Sequence, residues 1–141
     1  MDEAIQTFIH HFFEAKGDTP EDWAFHPLKG DGSKRVFWRM TASGRGRGYI
    51  AMANPPGDHT TKRENRAYVM IGNHLRKKRA PVPEILHYDL EQGWFLLEDL
   101  GRTNLQDVAL SSENPLPLYE KVLENLFRLQ IEGAKGFDPS W

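Results

Sequence analysis

The chain has 141 residues, of which 39% are hydrophobic and 27% are charged, and its formal net charge is −2. This length allows one domain, or one domain and part of a second, and the composition is that of an ordinary water-soluble protein. The absence of cysteine excludes disulfides, thiolate metal sites and a cysteine nucleophile, and no apolar run approaches the roughly 18 residues that a transmembrane helix needs.

The first predicted element is an amphipathic helix over residues 2–16. Its acidic start, Met1-Asp2-Glu3, suits the first turn of a helix and argues against a signal peptide, so we expect a cytoplasmic protein. Gly17 stands where the helix would end. The apolar residues follow the i, i+3, i+4 spacing of a helix with one buried face: Ala4, Ile5, Phe8, Ile9, Phe12 and Phe13.

Three strands are predicted next, at 23–29, 34–42 and 48–53. Two turn signals separate them, Gly30-Asp31-Gly32-Ser33 and Ser43-Gly44-Arg45-Gly46. The second strand alternates between two faces, which are Val36, Trp38 and Met40 on one side and Phe37, Arg39 and Thr41 on the other.

A second helix is predicted from Thr61 to Lys78, after a loop at 54–58 whose prolines fit neither a sheet nor a helix. Thr61-Lys62-Arg63-Glu64 matches a capping box, and Pro81 and Pro83 end the helix. Its expected inner stripe is Glu64, Ala67, Tyr68, Ile71 and Leu75.

Two more strands, 84–89 and 93–97, are predicted before residue 101, and helical segments at 104–111 and 117–132 follow. His87-Tyr88-Asp89 matches the start of a kinase catalytic loop, but it precedes the strand pair, so we assign it to a strand. The order helix, three strands, helix, two strands predicts an α+β fold with a five-stranded antiparallel sheet.

Charge is distributed unevenly along the chain. Residues 29–79 carry 13 lysines and arginines against three acidic residues, a net of +10, whereas residues 1–28 and 89–141 have net charges of −5 and −6. This pattern favours an anionic ligand, with phosphate first, or a solvated basic helix. Arg76-Lys77-Lys78-Arg79 is interpreted as a charged helix end rather than a nucleic-acid patch, because it lacks aromatic company.

Two motifs have a functional and a structural interpretation. The turn Gly30-Asp31-Gly32-Ser33 either brings backbone N–H groups against phosphates or is an ordinary hairpin turn. Glu64 either lies on the buried stripe and needs a cationic partner, or completes the capping box with Thr61.

Taken in order, these segments resemble the small lobe of the aminoglycoside phosphotransferase-like kinase superfamily. The closer similarity is to the bacterial N-acetylmuramate/N-acetylglucosamine kinases of cell-wall recycling. The resemblance spans residues 30–101 and rests on the order and spacing of five segments: 30–39, 49–56 (Tyr49-Ile50-Ala51-Met52-Ala53-Asn54-Pro55-Pro56), 64–65, 81–86 and 95–101 (Phe95-Leu96-Leu97-Glu98-Asp99-Leu100-Gly101).

The resemblance implies a protein-kinase-like nucleotide-binding lobe at 1–101 and the first helices of an incomplete large lobe at 102–141. It further implies ATP and Mg²⁺ as cofactors, transfer of the γ-phosphoryl group to a sugar hydroxyl, and catalytic and metal ligands beyond residue 141. Met52 stands where such kinases carry a phosphate-binding lysine, and Arg35, Arg39 or Lys62 could supply the charge instead. The implied cofactor-binding residues are Gly30, Asp31, Gly32, Ser33, Arg35, Met52, Glu64, Glu98, Asp99 and Leu100.

A second hypothesis is a non-catalytic module that binds nucleotide or a partner. In that case the apolar face of residues 117–132 would be exposed, and self-association through it would follow. A nucleic-acid-binding protein is a third hypothesis, and no membrane partner is expected.

Overall fold

The computed structural model describes residues 2–17, 23–29, 32, 34–42, 46 and 48–141. Within these residues the elements in chain order are α1 (Glu3–Glu14), β1 (Trp23–Leu28), β2 (Val36–Ala42), β3 (Tyr49–Ala53), α2 (His59–Lys77), β4 (Ile85–Asp89), β5 (Trp94–Glu98), α3 (Leu105–Ser111) and α4 (Leu116–Ala134). No helix in these ranges is both long enough and apolar enough to span a bilayer.

The five strands form one antiparallel sheet in the order β1-β2-β3-β5-β4. The central strand β3 places Met52 between Phe37 of β2 and Phe95 of β5. This confirms the predicted α+β architecture of a kinase-like small lobe. His87 lies in β4, as predicted, so His87-Tyr88-Asp89 is strand and not a catalytic loop.

Each face of the sheet is covered by one helix. On one face, Ile5, Ile9 and Phe13 of α1 pack with Met40, Ala51 and Leu96 of the sheet. On the other face, Val69 of α2 packs with Met52, Phe95 and Leu97. The alternation predicted for β2 is confirmed, since Trp38 packs with the α1 cluster and Phe37 with the α2 cluster.

The predicted capping box at the start of α2 is wrong. The N-cap is Asp58, whose Oδ1 accepts hydrogen bonds from Thr61 N–H at 2.7 Å and from Thr61 Oγ1 at 2.8 Å. The pKa of Asp58 is held below its usual value chiefly by the Thr61 N–H bond. The carboxylate of Asp58 therefore starts the helix three residues earlier than a Thr61 cap would require.

The predicted inner stripe of α2 is wrong at its first position. Glu64 is exposed, whereas its neighbour Asn65 is only 2% exposed. Asn65 Oδ1 accepts a hydrogen bond from Asn54 Nδ2 at 2.8 Å, and Asn65 Nδ2 donates to the Asn54 carbonyl at 2.9 Å. The helix is rotated so that a neutral amide, which can satisfy both of its polar ends, takes the buried position instead of a carboxylate.

Helix α4 packs its C-terminal end against α2. His74 Nε2 lies 2.7 Å from the Gly133 carbonyl oxygen, and a Cβ at Gly133 would come within 3.2 Å of Leu75. Most apolar side chains of α3 and α4 are exposed, including Leu110, Leu116, Leu123, Phe127 and Ile131.

Candidate nucleotide-binding site

The segment that follows β5 is fastened to β2 by one arginine. Arg39 Nε donates to Asp99 Oδ2 at 2.7 Å, and Arg39 Nη2 donates to Asp99 Oδ1 at 3.0 Å and to the Gly101 carbonyl at 2.7 Å. We call Arg39, Asp99 and Gly101 the clasp. A bidentate arginine–carboxylate pair fixes orientation as well as distance, so residues 99–101 are held rigidly beside the sheet.

The backbone of the clasp requires two glycines. Gly101 has φ +96°, in the left-handed region, and its N–H donates to Asp99 Oδ1 at 2.8 Å. A Cβ at Gly48 would lie 2.7 Å from the Met40 carbonyl oxygen and 3.1 Å from Asp99 Oδ2. Burial raises the pKa of Asp99, but the hydrogen bonds from Arg39 and Gly101 outweigh it and leave the pKa below its usual value.

Glu98 and Leu100 flank Asp99 and have different surroundings. Glu98 is tied to the start of β4, because its N–H donates to the Glu84 carbonyl at 2.9 Å and its Oε2 accepts from Glu84 N–H at 3.1 Å. Leu100 is 64% exposed, and its main-chain groups form no hydrogen bond within the described part of the chain. The segment thus holds Glu98 and Asp99 in place and leaves Leu100 exposed.

A cavity of about 490 Å³ lies beside this segment. It opens on the α1 side of the sheet, because its wall residues Tyr49 and Leu86 pack with the α1 cluster. The remaining lining residues are Gly48, Glu84, Glu98, Asp99 and Leu100. The predicted residues Glu98, Asp99 and Leu100 therefore meet at one surface.

The predicted phosphate-binding turn is described only in part. Gly30, Asp31 and Ser33 lie outside the described residues. Gly32 has φ +92°, a conformation that favours glycine. Arg35, directly before β2, places its guanidinium carbon 5.6 Å from the centroid of the Tyr68 ring on α2.

Of two further predicted site residues, Met52 is buried and Glu64 is exposed. Met52 is 1% exposed and packs in the apolar cluster beneath α2, which makes it a core residue. Glu64 forms no ion pair with any residue in the described ranges, and its exposure explains why it needs none. Asn54 and Asn65, which we call the amide pair, form a buried polar contact between the end of β3 and α2.

The described residues offer main-chain hydrogen-bonding groups at Leu100 and no cluster of metal ligands. The N–H and carbonyl groups of Leu100, which lines the cavity, are a donor and an acceptor without partners among the described residues. Among the residues that the structure covers, no group of three histidine, aspartate or glutamate side chains is placed to hold a metal ion.

Sequence reasoning missed the clasp and the amide pair. Arg39 was a candidate for phosphate binding, and its partner Asp99 is 60 residues away, so no local pattern joins them. The amide pair could have been suspected from the sequence, because an asparagine in a helix that packs on a sheet needs a polar partner if it is buried.

Comparison with known proteins places these features in a family. The model of the phosphotransferase enzyme family matches residues 24–141. An N-acetylmuramate/N-acetylglucosamine kinase of Pseudomonas aeruginosa is 33% identical over 115 residues, which are 82% of this chain and 32% of that protein. The chain thus spans about a third of the length of this curated relative. No solved structure matches. With its kinase-like small lobe and a family match over most of its length, the chain belongs to the phosphotransferase enzyme family.

Proposed function

We propose that this chain is the nucleotide-binding lobe of an ATP-dependent phosphotransferase that acts on a sugar or amino sugar. Family membership and the printed name of the Pseudomonas aeruginosa relative support this proposal. A cytoplasmic role in cell-wall recycling would accompany such a substrate. The expected division into a lobe at 1–101 and a second one that starts at 102 belongs to the same proposal.

The observation that carries the proposal is the segment Glu98–Leu100. Glu98 is fixed by Glu84 and Asp99 by the clasp, while Leu100 is 64% exposed and its main-chain groups form no hydrogen bond to described residues. Adenine presents adjacent donor and acceptor atoms on one edge, which a preorganised peptide unit can pair with at little entropic cost. We therefore assign the adenine contact to Glu98, Asp99 and Leu100.

In this proposal the polyphosphate extends toward the turn at Gly30–Ser33, and Gly32 keeps the backbone free of side chains there. Mg²⁺ would neutralise the phosphate charge when bound, with ligands expected beyond residue 141. Glu64, exposed on α2, would face that end of the nucleotide. Met52 would contribute through the core beneath it rather than through a ligand contact.

A proline substitution tests the adenine contact directly. Leu100→Pro removes the exposed N–H, whereas Leu100→Ala keeps it and removes a similar amount of side chain. We expect the proline variant to weaken ATP binding by about two- to tenfold, the value of one hydrogen bond, and the alanine variant to change it little. Isothermal titration calorimetry with ATP measures both, and equal affinities for the two variants would contradict the assignment.

A specific observation also supports the second hypothesis. Apolar residues of α4 such as Leu116, Leu123 and Phe127 are more than half exposed, which is typical of a surface that a partner or a further domain covers. A non-catalytic module that binds nucleotide and a partner, or associates with itself through this face, would have the same structure. Phosphoryl transfer by a chimeric enzyme, described in the Discussion, separates the two.

A further inference from the structure

The last turn of α2 carries an arginine that contacts three different parts of the lobe. Arg76 Nη1 donates to the Val82 carbonyl at 3.2 Å, and Arg76 Nη2 donates to Glu84 Oε2 at 3.3 Å. Arg76 Nη1 also lies 3.5 Å from Glu98 Oε2. One guanidinium therefore joins α2 to the connection before β4 and to the end of β5.

The connection between α2 and β4 has a backbone that cannot pair in a regular way. Pro81 and Pro83 have no N–H to donate, and Arg79 has φ +59°, a conformation that side chains other than glycine seldom adopt. The bond from Arg76 to the Val82 carbonyl restrains this connection from the helix side. Helix α2 is itself fixed on the sheet by the amide pair and by Val69, so it is a firm support for that restraint.

The two glutamates that Arg76 contacts are also joined to each other. Glu98 N–H donates to the Glu84 carbonyl, and Glu98 Oε2 accepts the Glu84 N–H. The Oε2 atoms of both carboxylates lie within 3.5 Å of an Arg76 nitrogen. Without the guanidinium, two like charges would share this place with no cation between them, which disfavours the orientation of Glu98.

Both glutamates line the cavity beside Leu100. The clasp fixes Asp99 to β2, and Arg76 holds the preceding residue, Glu98, to α2. The segment 98–100 is therefore restrained by one arginine from each of two elements. The side chains of Arg76 and Glu84 are 44% and 52% exposed, so we expect these contacts to contribute little to global stability.

We infer that Arg76 is a positioning residue for the nucleotide contact, because it holds Glu98 in the orientation in which Leu100 meets the base. This inference rests on the proposed function and adds to it a residue outside the site. Arg76 acts through Glu98 and touches no atom of the nucleotide.

The test compares adenosine, which is uncharged, with ATP, whose phosphates respond to the loss of any nearby cation. Calorimetry measures the binding of each to the unaltered 141-residue chain, Arg76→Ala, Arg76→Lys, Glu98→Gln and the double variant Arg76→Ala/Glu98→Gln. Lys77→Ala is the matched control, because Lys77 is an exposed cation in the same helical turn. Urea denaturation measures the stability of every variant.

We expect Arg76→Ala to lower the affinities for adenosine and ATP by the same factor, about two- to fivefold, which is the range of an exposed ion pair. Arg76→Lys should restore part of this loss, because it keeps the charge, and Lys77→Ala should leave adenosine affinity unchanged. In the Glu98→Gln background, Arg76→Ala should change adenosine affinity less than it does in the unaltered chain, because the two residues act together.

An Arg76→Ala variant with unchanged adenosine affinity would overturn the inference, whether it loses stability, ATP affinity or neither. Equal effects of Arg76→Ala with and without Glu98→Gln would also overturn it, since Arg76 would then not act through Glu98. In both cases binding of adenosine and ATP by the unaltered chain would leave the proposed function standing. An unaltered chain that binds neither ligand would overturn the proposed function and the inference with it.

Discussion

At the scale of single residues, the clasp tightly constrains the residues around it. Gly48 has backbone on one side and the Asp99 carboxylate on the other, and both distances to an added Cβ are shorter than ordinary contacts. The Met40 carbonyl belongs to a paired strand and cannot move far. The identity of residue 48 therefore controls whether Arg39 can reach Asp99.

At this scale we predict that Gly48→Ala destabilises the protein by about 1–3 kcal/mol, the usual cost of overpacking. Gly46→Ala is the matched control, because a Cβ there meets nothing within 4 Å. Urea denaturation compares the two variants. If Gly48→Ala proved as stable as Gly46→Ala, the tight approach at the clasp would be refuted.

At the scale of helices and strands, polar contacts as well as apolar ones hold α2 against the sheet. Its apolar contacts come from Val69 and Tyr68, whereas Asn65 joins it to Asn54 at the end of β3. Asn54 N–H in turn donates to the Gly93 carbonyl at 2.8 Å, so the amide pair joins α2, β3 and the turn before β5. Gly93 has φ +69°, and a Cβ there would clash with the Asn54 carbonyl.

We predict that Asn65→Leu costs about 1–3 kcal/mol of stability, because it leaves buried polar groups of Asn54 without partners. Glu64→Leu, one position away on the exposed side, should change stability by less than about 0.5 kcal/mol. Thermal unfolding of both variants is the measurement. A larger loss for Glu64→Leu would show that the carboxylate, and not the amide, faces inward.

At the scale of the whole molecule, the lobe is compact while α3 and α4 expose much of their apolar surface. The C-terminal end of α4 is held to α2 at Gly133, beside His74 and Leu75. The chain covers about a third of its Pseudomonas aeruginosa relative. Its activity is therefore best tested when it is joined to the other two thirds of that relative.

We predict that a chimera is an active kinase when this chain replaces the segment of the Pseudomonas aeruginosa enzyme that aligns with it. ATP-dependent phosphorylation of N-acetylglucosamine is the readout. A folded chimera that binds ATP but transfers no phosphate would favour the non-catalytic module.

The sequence allowed the sheet and its faces to be predicted, because alternation in β2 and the helical spacing in α1 are local patterns. Prediction failed where two nearby residues suit the same structural position. Thr61 and Asp58 both suit an N-cap, and Glu64 and Asn65 both follow the helical period, so packing and hydrogen bonding decide between them. The clasp could not be predicted at all, because Arg39 and Asp99 become neighbours only when β2, β3 and β5 are paired.

The amide pair is uncharged, so ionic strength and pH affect it differently from the ion pairs on the surface. Surface ion pairs such as Lys62–Glu91 and Arg76–Glu84 weaken as dissolved salt screens them. Asn54 and Asn65 carry no charge and do not titrate, so their hydrogen bonds hold α2 in one position at any ordinary ionic strength or pH. Helix α2 is thus insulated from the salt conditions that would move a helix tethered by an ion pair.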